Sequence, residues 1–320
     1  MTLTPDSISS SFRKERSSPT RASTTEHRIQ EPAPLHDVAV VIPAYNEEHA
    51  IAGGVAELHA ALSGLGLSYE IVVVNDGSSD GTGREAESSK ARVVHQPCNR
   101  GYGAALKRGI AATNSGYVII TDADGTYPAS ALPRMLELAV GADMVVGDRG
   151  AAMRNVPWVR RPAKFVLNSL ANYLARRPIN DLNSGLRVFR RRSLERFIDL
   201  LPDGFSFTTT ITLCMLCGGM DIIYEPIVYG KRIGKSKIVP AHFFSFMLLA
   251  LRIVTLFQPL RVFMPIGAVL IGLGAIKFVY DIFLWNLSES AVLAILAGLM
   301  AWSLGLIADM ISRLHLRPGR

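Results

Sequence analysis

Two long apolar stretches near the C-terminus constrain the fold of this 320-residue chain more than any other feature. They cover residues 262–284 and 291–312. At about 1.5 Å per helical residue, each is long enough to cross a hydrocarbon layer about 30 Å thick. We therefore predict two transmembrane helices. In the first, Lys277 and Asp281 lie on one helix face, either as an ion pair that faces the second helix or as two groups at headgroup level.

Charged residues around these stretches indicate their orientation. The connecting loop carries only Glu289, whereas arginines precede the first stretch and follow the second. Because positively charged residues are retained on the cytoplasmic side, we expect both termini in the cytoplasm. The two helices also offer a surface for homo-oligomerisation. The flanking arginines are Arg252, Arg261, Arg313, Arg317 and Arg320.

The rest of the chain divides into four segments. Residues 1–36 mix Ser, Thr, Pro and both charge signs without an apolar run, which predicts a disordered cytoplasmic tail and not a secretion signal. Residues 37–239 are the predicted globular domain. Residues 240–261 contain an apolar segment too short to span a membrane, which we predict to be an interfacial helix, and residues 313–320 are a short cytoplasmic tail.

The globular domain begins with short β-branched runs that alternate with helical segments. The runs lack the alternation of a half-exposed strand, so we predict buried parallel strands. Their βαβαβαβ order is typical of a doubly wound, Rossmann-like, mostly parallel α/β sheet, which binds ligands beyond the C-terminal ends of its strands. The predicted strands are residues 38–42, 71–74, 92–94, 117–121, 144–146, 186–189 and 222–224, and the predicted helices are residues 47–62, 80–88, 101–112, 130–139, 157–175 and 207–217.

Carboxylates follow two of these strands. Asp122 and Asp124 follow the fourth strand at positions i and i+2, so both side chains can turn toward one divalent cation. A hard cation such as Mg²⁺ or Mn²⁺ would neutralise the negative charge on a departing diphosphate. Asp76, at the end of the second strand, either accepts the ring N–H of uracil or guanine or caps the following helix.

Positive charge is concentrated after the fifth strand. Residues 149–192 contain eleven Lys and Arg and a single acid, Asp181. Such a field attracts an anion, which could be nucleic acid, anionic lipid or phosphate. The apolar stretches favour the last two, and a nucleic-acid-binding protein would not explain the acidic strand ends. We therefore expect a phosphate or lipid partner and no nucleic acid.

Seven ordered motifs resemble one enzyme family. V-I-P-A-Y-N-E-E, V-V-V-N-D-G-S-S-D-G-T, N-R-G-Y-G-A-A-L and T-D-A-D-G resemble the family 2 glycosyltransferases of GT-A fold. V-G-D-R-G, D-L-N-S-G-L-R-V-F and K-R-I-G-K-S-K resemble the dolichyl-phosphate mannose synthase branch, which includes bacterial polyprenyl-phosphate glycosyltransferases. The resemblance covers residues 37–240.

The resemblance implies a reaction. It is the inverting transfer of a hexose from a nucleotide sugar, of GDP-mannose or UDP-glucose type, to a polyprenyl phosphate such as undecaprenyl or dolichyl phosphate. The reaction takes place at the cytoplasmic leaflet, and the product donates its sugar to cell-envelope or protein glycosylation.

The resemblance also implies roles for individual residues. Guanidinium groups bind phosphate bidentately, which independently supports the arginines assigned to the acceptor. The residues implied at the nucleotide sugar are Pro43, Tyr45, Glu47, Asp76, Asp122, Arg232 and Lys237, with Arg232 at the donor diphosphate. Those implied at the Mg²⁺ or Mn²⁺ ion are Asp122 and Asp124. Those implied at the acceptor phosphate are Arg149 and either Arg160 or Arg161.

The role of Asp181 has two explanations. Relatives place a mechanistically important aspartate there, but a lipid phosphate has its second pKa near about 6 and needs no strong base at neutral pH. Asp181 therefore either orients an arginine or abstracts a proton. Two positions depart from the family: Asn75 stands where an acid is frequent, and Thr126 stands where some relatives offer a Gln or His to the metal, so we expect Thr126 to reach a metal only through water.

Two other enzyme classes compete with this interpretation. A non-processive family 2 transferase that acts on a glycan would share the donor motifs, whereas a processive synthase would carry Q-x-x-R-W, which is absent. Gly101, Tyr102 and Gly103 resemble part of a dinucleotide-binding loop. They follow the third strand and lack the third glycine at the usual spacing, so a hydride-transfer enzyme is disfavoured.

Overall fold

The computed structural model describes residues 36–150, 179–204, 206–230, 255, 258–284 and 288–315. They belong to two units, an α/β unit and a helical unit that contains the C-terminal helices. The predicted N-terminal tail, apart from His36, lies outside the described residues. The predicted basic helix over residues 157–175 and most of the predicted interfacial helix also lie outside them.

In the described part of the α/β unit, seven strands form one mixed sheet. Their order is β3-β2-β1-β4-β6-β5-β7. Strands β1 to β4 run parallel, as do β5 and β7, whereas β6 runs antiparallel to both β4 and β5. The prediction of a mostly parallel α/β sheet is confirmed. The strands are β1 (His36–Ala44), β2 (Tyr69–Asn75), β3 (Arg92–His95), β4 (Ser115–Ile120), β5 (Met144–Asp148), β6 (Arg187–Arg190) and β7 (Ile222–Pro226).

The central strands carry the core, and the edge strand β3 does not. Residues 38–42 of β1 and 118–120 of β4 are almost fully buried, as their unbroken apolar runs predict. In β3, Arg92 and His95 are exposed, so the predicted burial of this strand is wrong. The physical reason is its position at the sheet edge, where β2 is its one neighbouring strand.

Helices connect these strands, and the first begins later than predicted. Helix α1 begins at Ile51 because the N–H groups of Glu47 and Glu48 donate to the next loop, to Thr82 Oγ1 (2.8 Å) and Asp80 Oδ2 (3.4 Å). The α-helices are α1 (Ile51–Ser63), α2 (Thr82–Ser88), α3 (Tyr102–Ala111), α4 (Leu132–Ala139), α5 (Arg191–Glu195), α6 (Phe207–Cys217), α7 (Leu260–Phe283) and α8 (Glu289–His315).

Helix α3 packs unusually close to the sheet. A Cβ atom on Gly109 would lie 2.9 Å from Val74 Cγ2, so a larger residue would push the helix away from β2. Residue Tyr102 begins this helix at the end of the sheet where β1, β2 and β4 terminate. The close packing therefore fixes Tyr102 relative to the strand ends.

Helices α7 and α8 form an antiparallel pair that matches the two predicted apolar helices within a few residues. Both are long and apolar enough to cross a membrane, and most of their side chains are exposed, unlike those of a core helix in a soluble protein. Glycines allow close approach: a Cβ atom on Gly298 would lie 2.8 Å from the Gly267 carbonyl oxygen. The Trp302 indole N–H donates to the Met264 carbonyl at 3.0 Å.

A charged pair closes the turn between these two helices. Lys277 Nζ lies 3.2 Å from Asp281 Oδ1, so of the two alternatives the structure shows an ion pair within α7. Asp281 is buried, and its Oδ2 accepts the backbone N–H of Ser288 at 3.2 Å and the Ser288 hydroxyl. Asp281 therefore joins the end of α7 to the residue that precedes α8.

Candidate active site

The predicted site residues that the structure describes come from loops at one end of the sheet. In the sheet register, Ala44 of β1 pairs with Asn75 of β2, and Val41 of β1 pairs with Ile120 of β4. The loops that follow these three strands therefore begin side by side. Pro43 is one of the last two residues of β1, and the loops carry Tyr45, then Asp76, then Asp122 and Asp124, at the strand ends where the sequence predicts them.

The loops after β1 and β2 are joined by hydrogen bonds. Asn46 has a positive φ of 56°, a left-handed conformation that Asn tolerates. Its N–H donates to Ser78 Oγ at 3.1 Å, and its side-chain oxygen accepts the Ser79 N–H at 2.9 Å. These bonds hold Tyr45 on the surface beside the second loop, with 36% of it exposed.

Asp76 is buried, and its carboxylate holds the loop that precedes α3. Its two oxygens accept the backbone N–H groups of Arg100 (2.8 Å) and Gly101 (2.9 Å). It does not cap α2, whose N-cap residue is Gly81. A carboxylate offers about four acceptor positions, so these two bonds leave capacity for a nucleobase N–H.

Asn75, which stands where the family frequently has an acid, forms hydrogen bonds that stabilise its own turn. Its side-chain oxygen accepts the Ser78 N–H at 3.0 Å, and its Nδ2 lies 3.2 Å from His95 Nδ1. An amide can serve as donor and acceptor at once, which an ionised carboxylate cannot. The departure from the family pattern at this position therefore stabilises the turn that presents Asp76.

The two predicted metal carboxylates are each positioned by a hydroxyl group. The Tyr102 hydroxyl donates to Asp122 Oδ1 at 2.9 Å, and the Thr126 hydroxyl donates to Asp124 Oδ1 at 2.6 Å. Burial, followed by the negative charge of Asp122, raises the pKa of Tyr102 well above its usual range, so the phenol remains a donor. Thr126 is itself buried, and in the structure its hydroxyl supports Asp124.

These residues fit a hard divalent cation bound mainly by its substrate. Carboxylate oxygens are the ligands that such a cation prefers, and Asp122 and Asp124 follow the same strand two residues apart. Across the described ranges, no group of three or more His, Cys, Asp or Glu side chains could enclose a metal ion. An ion held by Asp122 and Asp124 would therefore need further oxygen ligands from a diphosphate or from water.

Arg149 and Asp181 form a buried ion pair near these loops. Arg149 Nε lies 2.7 Å from Asp181 Oδ2, and Arg149 Nη2 lies 2.8 Å from Asp181 Oδ1, which is bidentate geometry. The side chains are only 11% and 3% exposed. The Asp181 carboxylate also accepts the backbone N–H groups of Asn183 (3.1 Å) and Arg149 (3.4 Å).

The ion pair determines the protonation of both partners. Burial alone would raise the pKa of Asp181, but the hydrogen bonds and positive charge of Arg149 hold it below its usual range. Burial likewise opposes the charge on Arg149, yet its hydrogen bonds to Asp181 raise the pKa of its guanidinium. Both groups are therefore ionised at neutral pH.

The Arg149 guanidinium also presents donors that the ion pair does not use. Two of its five N–H groups donate to Asp181, which leaves three. Within the part of the chain that the structure describes, these three donate to no acceptor. The guanidinium carbon lies 5.4 Å from the centre of the Tyr229 ring, which supports it through a cation–π contact.

The loop between Asp181 and β6 joins the carboxylate site to the arginine site. The Gly185 N–H donates to the Tyr127 hydroxyl at 2.6 Å, and a Cβ atom on Gly185 would lie 2.7 Å from Asp122 Oδ2. Tyr127 in turn packs edge-on against Tyr229, with ring centres 5.1 Å apart. Asp122 and Arg149 are thus linked through Gly185 and through the two tyrosines.

Several residues of this arrangement were missed by the sequence analysis. These residues contact the predicted site residues or the loop that carries them, and they are Tyr102, Tyr127, Arg187 and Tyr229. The signal available for Tyr102 and Arg187 was their position inside the matched motifs N-R-G-Y-G-A-A-L and D-L-N-S-G-L-R-V-F, and Tyr127 follows T-D-A-D-G by two residues. Of the predicted residues, Arg160, Arg161, Arg232 and Lys237 lie outside the described residues.

Family models match both parts of the chain. The model for glycosyl transferase family 2 matches residues 39–198, and the model for the GtrB C-terminal hairpin matches residues 258–314. The first contains the sheet ends described above, and the second contains α7 and most of α8. The predicted enzyme family and the predicted C-terminal helix pair are both confirmed.

Individual proteins agree with these matches. Dolichyl-phosphate hexose transferase from Haloferax volcanii is 34% identical over 206 residues, 64% of this chain and 87% of the relative. Undecaprenyl-phosphate 4-deoxy-4-formamido-L-arabinose transferase from Pseudomonas paraeruginosa is 28% identical over 317 residues, 89% of this chain and 87% of the relative.

A solved structure confirms the GT-A fold. Glucosyl-3-phosphoglycerate synthase from Mycobacterium tuberculosis, in complex with Mn²⁺, UDP-glucose and phosphoglyceric acid, has a TM-score of 0.58 at 20% identity. The match covers 79% of this chain and 85% of that chain. With a matching family model and close relatives over its catalytic region, this chain belongs to glycosyl transferase family 2.

Proposed function

We propose that this enzyme transfers a hexose from a nucleotide sugar to a polyprenyl phosphate, with inversion at the anomeric carbon. The observation that carries the proposal is the contact between two loops: Gly185 lies against the Asp122 carboxylate, and Asp181 of the same loop holds Arg149. A site for a leaving diphosphate and a site for an anionic acceptor therefore adjoin each other. The names of both relatives, which specify dolichyl phosphate and undecaprenyl phosphate, support this acceptor class.

The donor nucleotide would bind across the first two loops. Tyr45 is half-exposed beside the turn that carries Asp76, where its ring could stack on a base. The remaining acceptor capacity of Asp76 suits the ring N–H of uracil or guanine. The diphosphate would then extend toward Asp122 and Asp124. The Mycobacterium tuberculosis structure, with UDP-glucose and Mn²⁺, supports this class of donor and cofactor.

The acceptor phosphate would bind to Arg149. Its three remaining N–H groups can donate to phosphate oxygens, and the ion pair with Asp181 together with the Tyr229 ring fixes the plane of the guanidinium. Fixed donors bind a phosphate more strongly than mobile ones because little rotational freedom is lost. By the family resemblance, Arg160 or Arg161 would supply a second guanidinium, Arg232 would contact the donor diphosphate, and Lys237 would contact the nucleotide sugar.

Asp181 would orient Arg149 and would not abstract a proton. Its carboxylate receives four hydrogen bonds, two from the Arg149 side chain and two from backbone N–H groups, and its pKa is lowered. A general base needs a pKa near the working pH and an accessible lone pair. The acceptor phosphate is already anionic at neutral pH, so the reaction does not require such a base.

The chain contributes position and charge to the reaction. When bound, Mg²⁺ or Mn²⁺ neutralises the charge that develops on the departing diphosphate. Tyr102 holds Asp122 from one side and Gly185 limits it from the other. Arg149 presents the acceptor oxygen to the anomeric carbon opposite the diphosphate, as inversion requires. Positioning of this kind lowers the entropic part of the barrier.

The C-terminal helices would hold the enzyme at its lipid substrate. Their exposed apolar side chains suit a bilayer, and the match to the GtrB hairpin supports this role. The arginines at and beyond the outer ends of both helices favour cytoplasmic termini, which would place residues 37–239 on the side where nucleotide sugars are made. Residues 240–261 would then lie at the membrane surface.

Membranes that contain the full-length enzyme test this function. They are incubated with labelled UDP-glucose, GDP-mannose or related donors, with Mg²⁺ or Mn²⁺, and lipid is extracted into organic solvent. We expect label from one donor in a polyprenyl-phosphate sugar, and none when the ion is chelated. Label in a glycan, or donor hydrolysis without a lipid product, would refute the proposal.

A further inference from the structure

Arg187 is a completely buried arginine whose oxygen partners lie in one loop and one helix, with a further contact from Nη1 to Met144 Sδ of β5 at 3.4 Å. Its side chain is 0% exposed at the start of β6. Nε donates to the Ser184 carbonyl at 2.8 Å, and Nη2 donates to the Leu182 carbonyl at 2.9 Å. Nη1 donates to the Thr212 hydroxyl at 2.6 Å. The guanidinium thus holds two carbonyl groups of the loop from beneath and ties them to α6.

The two ends of this loop carry the two halves of the candidate site. At one end, Asp181 forms the bidentate ion pair with Arg149. At the other end, Gly185 lies against the Asp122 carboxylate so closely that a methyl group would not fit. The carbonyl groups bound by Arg187 lie between these ends, so a shift of the guanidinium would move both.

An arginine in this position is costly for the fold. Moving a charge from water into the protein interior is strongly unfavourable unless an opposite charge compensates it. No carboxylate forms an ion pair with Arg187 among the residues that the structure describes. Carbonyl and hydroxyl dipoles compensate its charge directly, and the negative charge of Asp181 does so without contact. An apolar residue would pack in a buried strand at lower cost, as in the other central strands. We infer from this cost that the loop requires a guanidinium, which can donate to two carbonyl groups at once.

We propose that Arg187 is a positioning residue that holds the 181–185 loop so that the metal carboxylate and the acceptor arginine keep a fixed separation. The proposal rests on the function proposed above. Arg187 touches neither substrate; it acts through Asp181 on the acceptor side and through Gly185 on the donor side. Its loss should therefore impair both sides together.

Arg187→Lys tests this role because it keeps the positive charge but removes the planar guanidinium that donates to two carbonyl groups. A lysine can reach only one of the two carbonyl groups with the original geometry. We expect the KM for polyprenyl phosphate to rise about tenfold or more, and the affinity for Mn²⁺ in the presence of UDP or GDP to fall by a similar factor, measured by electron paramagnetic resonance. Both are measured on the full-length protein in detergent, beside thermal unfolding.

Arg191→Lys is the matched control. Arg191 also donates to a carbonyl, that of Ser115 at 2.6 Å, and is only 13% exposed, but Ser115 lies at the opposite end of β4 from Asp122. The control should lower stability without changing Mn²⁺ affinity or acceptor KM. The contrary result is that Arg187→Lys behaves like this control, with lower stability but an unchanged Mn²⁺ affinity and an unchanged acceptor KM. In that case Arg187 is merely structural and the proposal is wrong.

A milder variant keeps the proposal testable if Arg187→Lys does not fold. Thr212→Val removes one partner of the guanidinium at constant side-chain shape. We expect it to shift Mn²⁺ affinity and acceptor KM in the same direction by a smaller factor, and two unchanged constants would overturn the proposal. If the wild-type enzyme makes no lipid product, the proposed function fails, whereas the Mn²⁺ affinities still decide whether Arg187 positions Asp122.

Discussion

Replacing Asp181 by Asn separates its two proposed roles. The substitution keeps the shape of the side chain but removes its charge and places an amide N–H₂ against a guanidinium donor. Leaving a buried arginine without its carboxylate costs about 3–5 kcal/mol of stability. Arg149 keeps the Tyr229 ring, and Asn keeps one acceptor oxygen, so we expect the lower half of this range, about 3 kcal/mol.

The effect on catalysis should appear in the acceptor KM. If Asp181 orients Arg149, its loss weakens a phosphate contact by about 1.5–3 kcal/mol, which raises the KM for polyprenyl phosphate roughly tenfold to hundredfold. High acceptor concentrations should then restore much of the rate, and the donor KM should change little. If Asp181 were a general base, its loss would lower kcat by about 10²–10⁴ at every acceptor concentration.

The assay measures transfer at varied acceptor and fixed donor for Asp181→Asn, Arg149→Lys and the double variant. Because both residues act through one contact with phosphate, the double variant should be little worse than the worse single variant. Additive effects, or a loss of kcat with an unchanged acceptor KM, would refute an orienting role.

The pH dependence gives a second check on the same pair. The pKa of Asp181 is lowered in the folded protein, so the stability of the ion pair is fully present above the ordinary carboxyl pKa and is lost as pH falls through the lowered value. Activity should instead fall below about pH 6, where the acceptor phosphate takes up its second proton. Unfolding near pH 6, in parallel with activity, would contradict this assignment.

Three further variants test the supports of the site. Asp124→Asn should raise the Mg²⁺ or Mn²⁺ concentration needed for half-maximal rate, and undiminished turnover at limiting ion would contradict a metal role. Tyr102→Phe should raise this concentration about tenfold, because Asp122 loses its hydroxyl donor, whereas Tyr69→Phe, which loses a bond to His59 elsewhere, should not. Tyr229→Leu should raise the acceptor KM about fivefold and Tyr229→Phe should not, since phenylalanine keeps the cation–π contact; equal effects would exclude that contact.

The donor side of the site could be predicted because parallel strands end at one edge. Asp76 and Asp122 follow buried parallel strands, so the sequence predicts that both lie at the same edge of the sheet. The partners of Asp76 could not be predicted in this way. They are the backbone N–H groups of Arg100 and Gly101. Almost every residue has such a group, so the sequence does not show which ones bind Asp76.

The acceptor side could be predicted only in part. Asp181 stands out as the single acid in a basic segment, and the family resemblance implies Arg149 at the acceptor phosphate. Neither observation pairs the two residues, which lie 32 positions apart. Arg187 looked like another basic residue of that segment, because four residues of strand do not show which side chains are buried or that β6 runs antiparallel. Burial, which depends on the whole sheet, is what distinguishes it.

The most direct test of the account compares acceptors that differ only in their phosphate. Purified full-length enzyme is supplied with its donor, Mn²⁺ and either undecaprenyl phosphate or undecaprenol, beside the Arg149→Ala variant. We expect a lipid-linked sugar from undecaprenyl phosphate alone, with the KM for this lipid raised at least tenfold in Arg149→Ala and the donor KM nearly unchanged. Equal transfer to undecaprenol, or an unchanged KM for undecaprenyl phosphate in the variant, would contradict the central claim that Arg149 binds a lipid phosphate acceptor.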